Sequence, residues 1–373
     1  GSGLPIYKEH EGFWRKHELA KANRDYLRGL YGIIKGSARH VRFVFVTGIT
    51  MFSKVSLFSG LNNLEDISLD PQYATLCGYT ERELETVFAL ELLGIDRDEI
   101  RTRYYGYRWQ GEETVYNPFD VLLLLKKRVF RSWWFETGSP DFLYRLIVER
   151  GMNPIELEHR PIDAERLANF DVGDIDLMAL MFQAGYLTIG GEERAGADTF
   201  YALEYPNLEV RRSFSKGFLS HLGQREAATE ANALLVLLAR LDFRGFGERL
   251  QAYLAGLPYQ WLGAGKLGEY EAHYAAMLYL AFSAVGSDVR VEDASSRGRA
   301  DMVLLHGGRV YVLEFKMARD REGVDAAMDR ALSQMRERGY GERYRARGEP
   351  IHLVGVVFGR EERNLLAVEA EHC

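Results

Sequence analysis

The sequence predicts an α/β protein of three parts, whose C-terminal part is a mixed sheet flanked by helices. Three observations lead to this class: short apolar runs typical of buried strands, longer segments with apolar residues at helical spacing, and turn-rich stretches between them. The predicted boundaries divide the 373 residues into 1–110, 111–235 and 236–373. This length suits two or three domains, and a hydrophobic content of 47% supplies material for their cores.

The first part, residues 1–110, is predicted to be an incomplete α/β unit. Residues 18–36 carry a helical pattern that ends near Gly36, and VRFVFVTG at 41–48 has the length and apolar character of a buried parallel strand. The segment TERE, which begins at Thr80, has the form of a capping box and predicts the start of a helix. The chain begins GSGLP without a methionine, which suggests a cleaved tag, an engineered junction or a fragment. We therefore expect a chain whose natural N-terminal segment is absent.

In the middle part, residues 111–235, helical patterns dominate from Pro118 to about Leu187. The segment DIDLMALMFQAGYLTI is typical of a helix that runs into a strand. The segment TFYALEYPNLEVRRSFSKGFLSHL predicts a strand, a turn at Pro206 and Asn207, a second strand and a helix. This succession suggests a small winged-helix element, which either contacts DNA or serves only as a packing module.

The last part, residues 236–373, is predicted to be a mixed α/β domain. The apolar segments ANALLVLLARLDF and YEAHYAAMLYLAFSAVG are predicted helices. They are followed by the strand DVRVED, a hairpin, the helix GVDAAMDRALSQMRERGY and the strand PIHLVGVVFG. Helices that precede and interrupt a run of strands are expected to cover the resulting sheet.

The hairpin ADMVLLHGGRVYVLEFKM carries charges where a buried strand should carry apolar residues. Because side chains alternate along a strand, Glu314 and Lys316 point to the same face. A tight turn at Gly307 and Gly308 gives paired residues numbers that sum to 615 and sets Asp301 opposite Glu314.

Two carboxylates so close are unfavourable unless one is protonated or a cation lies between them. Hard divalent cations such as Mg2+ prefer such oxygen ligands. A three-residue turn with a bulge would instead shift the register and separate the pair.

The composition and the motifs of the sequence exclude several classes of function. The sequence has no apolar run of membrane-spanning length and no signal peptide. Cys77 and Cys373 are too few for a disulfide framework, and no Cys/His cluster has zinc spacing. We therefore expect a reducing, cytoplasmic setting. The net charge of -7 gives no global sign of nucleic-acid binding, and neither an H-E-x-x-H nor a G-x-S-x-G motif occurs.

GRADMVLL followed by VYVLEFKM resembles the core of the PD-(D/E)XK nuclease superfamily, with Asp301 as the motif Asp and Glu314, Phe315 and Lys316 as its E-x-K. The first part resembles the rear half of an AAA-ATPase-like domain through RFVFVTGITMFSKVSLFSGLNNLEDISLD, YYGYRW and VYNPF. In one bacterial branch an AAA-ATPase-like domain precedes the nuclease-like domain. The resemblance implies an incomplete P-loop-type α/β part, a helical or winged-helix middle and a C-terminal restriction-endonuclease-like sheet.

This resemblance implies a metal-dependent deoxyribonuclease, acting as an endonuclease or an exonuclease. Asp301, Glu314, the Phe315 carbonyl and Glu271 would hold Mg2+ or Mn2+, which activates a water for attack on the phosphodiester. Lys316 would orient that water or neutralise developing charge, and Gln334 on the following helix would hold the water or a phosphate. Glu271 and Gln334 are each equally compatible with a surface role. The biological role, whether defence, control of mobile elements or repair, is left open.

Basic residues near these positions are candidates for DNA contact. Arg297 and Arg299 precede Asp301, and the tract RERGYGERYRARG interleaves arginine with tyrosine, including Tyr340 and Arg343, as nucleic-acid surfaces do. Solvated surface pairs and a plain charged helix end are the alternatives. A second function class is also open, in which the nuclease fold is a non-catalytic scaffold that binds DNA or protein.

ATP binding is not expected from this sequence alone. It contains no G-x-x-x-x-G-K-[ST] loop, and GAGKLG at 263–268 lacks both the first glycine and the hydroxyl residue because Gln260 and Leu267 stand there. Without such a loop the backbone amides that cradle phosphates are missing. Thr47, at the end of the predicted strand, either senses a γ-phosphate or caps a turn. An incomplete ATPase-like part would expose an edge and an apolar face, so we expect self-association or a partner that covers them.

Overall fold

The structure, a computed structural model, describes most of the chain from residue 64 onwards. It describes 64–373 except 138–139, 159, 168–175, 197, 257–268, 296–297 and 319–322, and before residue 64 it describes 19, 22–23, 25–26, 29, 32–34, 36–37 and 39–48. The described part divides into two compact units, one formed by Gly1–Trp133 and Leu157–Asn207 and the other by Trp134–Glu156 and Leu208–Cys373.

The secondary structure with defined bounds is mixed. The α-helices are α1 (Glu81–Val87), α2 (Arg97–Tyr104), α3 (Pro118–Lys127), α4 (Asp141–Glu149), α5 (Ala164–Leu167), α6 (Leu177–Gln183), α7 (Leu208–His221), α8 (Ala227–Ala239), α9 (Phe243–Ala255), α10 (Glu269–Ala284) and α11 (Val324–Arg338). The strands are β1 (Tyr105–Tyr107), β2 (Val115–Tyr116), β3 (Pro161–Asp163), β4 (Thr188–Ala195), β5 (Asp198–Glu204), β6 (Asp288–Ser295), β7 (Gly298–His306), β8 (Arg309–Ala318), β9 (Ile351–Gly359) and β10 (Asn364–His372).

In the first unit, the described residues form short helices and two small sheets. The capping box predicted at Thr80 is present: its hydroxyl oxygen accepts from the Glu83 N–H, and the Glu83 carboxylate accepts from the Thr80 N–H. Apolar residues of α1 to α3 form one core with Tyr116 of β2. Strands β3, β5 and β4 form a three-stranded antiparallel sheet in that order.

Two predictions for the earlier parts of the chain are wrong. The described residues 41–48 are not a strand, and Phe43 and Phe45 are 79% and 56% exposed. A strand needs a neighbour for its backbone groups, and no described strand pairs with this segment. The second strand predicted after Asn207 is instead the start of α7, because Val210, Phe214 and Phe218 recur every four residues and are buried on one helical face. The described residues between 19 and 36 are helical, as predicted.

The second unit is built on a five-stranded mixed sheet in the order β10-β9-β8-β7-β6. Strands β8 and β9 are parallel and the other neighbours are antiparallel. Helix α11 packs on β8 and β9, while α10 packs against β6 and β8. The predicted order of helices and strands in this region is therefore confirmed, with two additions that the sequence reading missed, α9 and the edge strand β10.

Strand β8 is buried along most of its length because helices cover both of its faces. Tyr311 and Phe315 are fully buried and point away from α11; the Tyr311 hydroxyl donates to the Leu238 carbonyl at the end of α8. Glu314 points to the α11 side, where Ala327, Met328 and Leu332 belong to the apolar layer between helix and sheet. This arrangement places a charged strand position beneath a helix.

Close approach of α11 to the sheet depends on Gly355. This residue pairs with Glu314 across β8 and β9. A Cβ added at Gly355 would lie 2.4 Å from Met328 Sδ and 3.5 Å from Ala331 Cβ, both on α11. The glycine therefore lets the helix lie against the sheet next to Glu314.

We predict that Gly355→Val lowers the free energy of unfolding by about 1–3 kcal/mol, because the added side chain overpacks this layer. Gly355→Ala is the graded control, since the flexible Met328 side chain can move away from one methyl group, and its loss should be smaller. Urea unfolding of the three proteins gives the comparison. A valine variant as stable as the parent would contradict the inferred role of this glycine.

Candidate active site

The β7–β8 hairpin has the turn and the register that the sequence predicts. Gly307 and Gly308 have φ values of +59° and +68°, and two successive positive values are characteristic of a type I′ turn. Paired residues run from His306 with Arg309 to Met302 with Leu313, so that every pair sums to 615. The alternative of a bulged three-residue turn is excluded.

Asp301 lies one position beyond the last pair of this ladder. Its carboxylate accepts a hydrogen bond of 2.8 Å from the Phe315 N–H on the neighbouring strand. Its negative charge is also close enough to Glu314 to disfavour ionisation of that residue. The two carboxylates are thus brought together, as the predicted register requires.

Glu314 is the centre of the site. It is 1% exposed, and its Oε1 accepts a hydrogen bond of 2.7 Å from Lys316 Nζ and a second one from Gln334 Nε2. Its Oε2 is buried and has no hydrogen-bond partner among the described residues. A buried carboxylate oxygen without a partner is unfavourable, so this oxygen is available to a ligand.

The surroundings raise the pKa of Glu314 to about 7 from an ordinary value of 4.5. Burial is the largest cause, and the charge of Asp301 raises the pKa further. The ion pair with Lys316 acts in the opposite direction and only partly compensates. The site therefore favours a proton or a cation at Glu314 near neutral pH.

Helix α11 supplies Gln334, and the residues after the helix hold it in place. Gly339 ends the helix with a φ of +59°. Tyr340 follows Gly339, and its side chain lies next to Gln334. Its hydroxyl oxygen accepts a hydrogen bond of 3.1 Å from Gln334 Nε2. Tyr340 is 4% exposed, which leaves its ring little surface for nucleic acid. Its position indicates a supporting role beside Gln334.

The donor set fits a hard divalent cation. Asp301 and Glu314 offer carboxylate oxygens, one of them buried without a partner, and Phe315 offers a carbonyl in the same place along β8. Glu271 lies on α10, but its side chain is outside the described part of the structure. In the part of the chain that is described, no group of three or more His, Cys, Asp or Glu residues is arranged to hold a metal.

The basic residues considered for DNA contact have different positions. Arg299 on β7 and Arg343 in the 3-10 helix Glu342–Arg347 are exposed, and the Arg343 guanidinium lies 5.4 Å from the centre of the Tyr344 ring. Arg297 lies outside the described residues. The two exposed arginines therefore remain candidates for phosphate contact.

Two features of the site were not found from the sequence. One is that Lys316 and Gln334 share a single oxygen of Glu314, and the other is that Tyr340 supports Gln334. The spacing of Gln334 and Tyr340 on either side of Gly339, which ends the helix, was the sequence signal for the second feature only. Both features depend on how closely α11 approaches β8, which the sequence does not show.

Comparisons with known proteins agree with this geometry. Residues 269–367 match the family model of the PD-(D/E)XK nuclease superfamily. The chain is 49% identical over 356 residues to the "Uncharacterized protein in vnfD 5'region" of Azotobacter chroococcum mcd 1, a match that covers 95% of this chain and 68% of that protein. No solved structure matches the chain.

Neither match bears on the AAA-ATPase-like or winged-helix predictions, which stay predictions. None of the described helices is long and apolar enough to cross a membrane.

We predict that Glu314→Gln changes the pH dependence of stability in metal-free buffer. Because the pKa of Glu314 is higher in the folded state than in the unfolded state, folding is most favourable when this group is protonated. The free energy of unfolding of the parent therefore falls as pH rises from about 4.5 to about 7. The glutamine of the variant stays neutral at every pH. The free energy of unfolding of the variant minus that of the parent should therefore rise by about 2 kcal/mol between pH 5 and pH 8. Urea unfolding in EDTA measures this difference. Glu369→Gln, at an exposed glutamate of β10, is the control; parallel pH profiles for all three proteins would contradict the prediction.

Proposed function

We propose that this chain, which belongs to the same family as the Azotobacter chroococcum protein and carries a PD-(D/E)XK nuclease superfamily domain, is a metal-dependent nuclease that hydrolyses phosphodiester bonds in DNA. The observation that carries the proposal is the convergence of Asp301, Lys316 and Gln334 on the buried carboxylate of Glu314. A carboxylate that is buried, next to a second acid and incompletely hydrogen-bonded is costly for folding alone. Such a cost is typical of a functional site.

Asp301, Glu314 and the Phe315 carbonyl are the groups that would hold the divalent ion. When bound, the ion supplies Lewis acidity, which polarises the phosphate and lowers the pKa of a bound water. Lys316 and Gln334 provide the remaining polar groups. The ammonium of Lys316 orients the attacking water or neutralises charge that develops on the phosphoryl oxygens, and the amide of Gln334 hydrogen-bonds the water or a phosphate oxygen.

DNA is proposed as the substrate because the nuclease-like domain exposes basic residues. Arg299 and Arg343 are exposed in the nuclease-like domain, where they could contact phosphates. The proposal includes an AAA-ATPase-like first part and a winged-helix middle part, and sequence motifs support both. It also includes an association with another chain that covers the exposed Phe43 and Phe45.

We predict that the chain cleaves DNA when Mg2+ or Mn2+ is added and that Asp301→Asn and Lys316→Met each reduce the rate by about a hundredfold or more. Both variants preserve the approximate volume of the side chain while removing a charge. Asp288→Asn, which breaks an exposed ion pair with Arg290 on β6, is the matched control and should leave the rate nearly unchanged. Cleavage that persists in both site variants would assign the activity to another site or a contaminant.

The competing proposal is a non-catalytic binding module, and one observation favours it. Lys316 pairs with Glu314 at 2.7 Å, so the carboxylate has a counter-charge without any metal. In that case Lys316 would serve the fold and the domain would bind DNA or protein without cleaving it.

Calorimetric titration with Mg2+ or Mn2+ at pH 8 distinguishes the two proposals. We predict binding of the metal to the parent chain and its loss in Asp301→Asn, because the site then lacks one of its two carboxylates. Binding should weaken between pH 8 and pH 6, since Glu314 must lose its proton to act as a ligand and its pKa is about 7. A parent chain that binds no metal at pH 8 would support the binding module.

A further inference from the structure

Two histidines face each other across the last two strands of the sheet. His352 on β9 and His372 on β10 are direct partners in the antiparallel ladder. Their ring centres are 5.3 Å apart and the ring planes meet at 87°. Directly opposite residues in such a ladder present their side chains on the same face.

The ring of His352 is fixed by aromatic neighbours on that face. Tyr311 of β8 stacks on it with ring centres 5.4 Å apart and an interplanar angle of 20°, and Phe243 at the start of α9 lies 5.9 Å away. His352 is 6% exposed, and its Nε2 is buried without a hydrogen-bond partner among the described residues. A buried ring nitrogen in this condition lacks a compensating interaction. His372, by contrast, is exposed, so a small ligand can approach the pair from its side.

We propose that His352 and His372 form a second metal site, which binds a borderline transition-metal ion such as Zn2+, Ni2+ or Cu2+ between β9 and β10. Imidazole nitrogen is a preferred ligand of these ions, and two rings held by neighbouring strands offer a preformed pair. Water completes the coordination, because no third His, Cys, Asp or Glu is grouped with them in the described residues. The bound ion coordinates His352 Nε2, which otherwise has no hydrogen-bond partner among the described residues, and it links the edge strand β10 to β9.

The charges around the pair limit its affinity. Arg309 is near enough to act electrostatically on His352, and its guanidinium donates to the carbonyls of Ala239 and Gly307 at 3.5 Å and 3.3 Å. A cation in this position opposes a second cation. Binding is therefore expected in the micromolar range and not with the affinity of a four-ligand structural zinc site.

This site is separate from the carboxylates around Glu314. Tyr311 and Glu314 are on opposite faces of β8 because side chains alternate along a strand. The stacking of His352 on Tyr311 puts the histidine pair on the face that carries α8, and Gln334 of α11 contacts Glu314 on the other face. The two sites share no ligand, so binding at one can be tested with the other disabled.

The test is a calorimetric titration of Zn2+ into the full chain without a histidine tag and with Asp301→Asn to remove binding at the carboxylate site. One ion should bind per chain, and His372→Ala should weaken the binding by at least about tenfold. Cu2+ bound in the same background should show electron paramagnetic resonance coupling to two imidazole nitrogens, and His372→Ala should reduce this to one. Mg2+ should not bind there, because it prefers oxygen ligands.

The choice of site variant and one further control variant keep the test decisive. His372 is exposed, so His372→Ala should fold even if substitution of the buried His352 does not. His40→Ala, at an exposed histidine of the other unit, controls for loss of any single imidazole and should leave the Zn2+ affinity unchanged. Affinities within twofold for His372→Ala and its parent would overturn the proposal. So would binding of inorganic phosphate, but not Zn2+, that depends on His372.

Discussion

The burial of one carboxylate, that of Glu314, is the constraint on which the arrangement of the nuclease-like domain depends. A charged group in the middle of a strand covered on both faces has a large desolvation cost. Lys316 and Gln334 reduce the cost at one oxygen, while the other stays without a partner. Helix α11 must therefore lie close enough to β8 to deliver Gln334. Gly355, which pairs with Glu314, provides the space.

Strand β8 serves two environments at once because its side chains alternate. Tyr311 and Phe315 enter the aromatic layer on one face, where Phe315 and Phe358 have ring centres 5.8 Å apart, while Glu314 and Lys316 lie on the face of α11. A slip of one residue would exchange these sets and place charges in the aromatic layer. The Gly307–Gly308 turn and the apolar layers on both faces specify the same register, so the position of the site follows from the folding of the hairpin.

The parts of the structure that could be predicted from the sequence are those that local chemistry determines. The glycine turn fixed which residues of β7 and β8 pair, and the capping box at Thr80 fixed a helix start. Strand β10 was missed because NLLAVEAEH has only weak alternation, and its partner β9 is defined by tertiary pairing. The segment 41–48 has the composition of a buried strand but no described partner, so its composition was misleading.

The same distinction applies to the site. That Asp301 and Glu314 come together followed from the register, but the raised pKa of Glu314 did not, because it depends on how deeply α11 and the strands on either side of β8 bury it. Which atoms Lys316 and Gln334 contact depends on the distance between α11 and β8, which no local pattern encodes. Family resemblance identified Gln334 as a candidate, and the structure shows what it contacts.

The two faces of the sheet differ in the ions that they can select. Around Glu314 the donors are carboxylate and carbonyl oxygens, which suit hard ions such as Mg2+, whereas His352 and His372 offer nitrogen, which suits borderline ions. Because the strands separate the two donor sets, neither can complete the coordination of an ion held by the other. Under the two proposals made above, Mg2+ or Mn2+ would have oxygen ligands on the face of α11, and a borderline ion would have imidazole ligands on the opposite face. The alternation of side chains along β8 and β9 therefore assigns the oxygen donors to one face of the sheet and the nitrogen donors to the other.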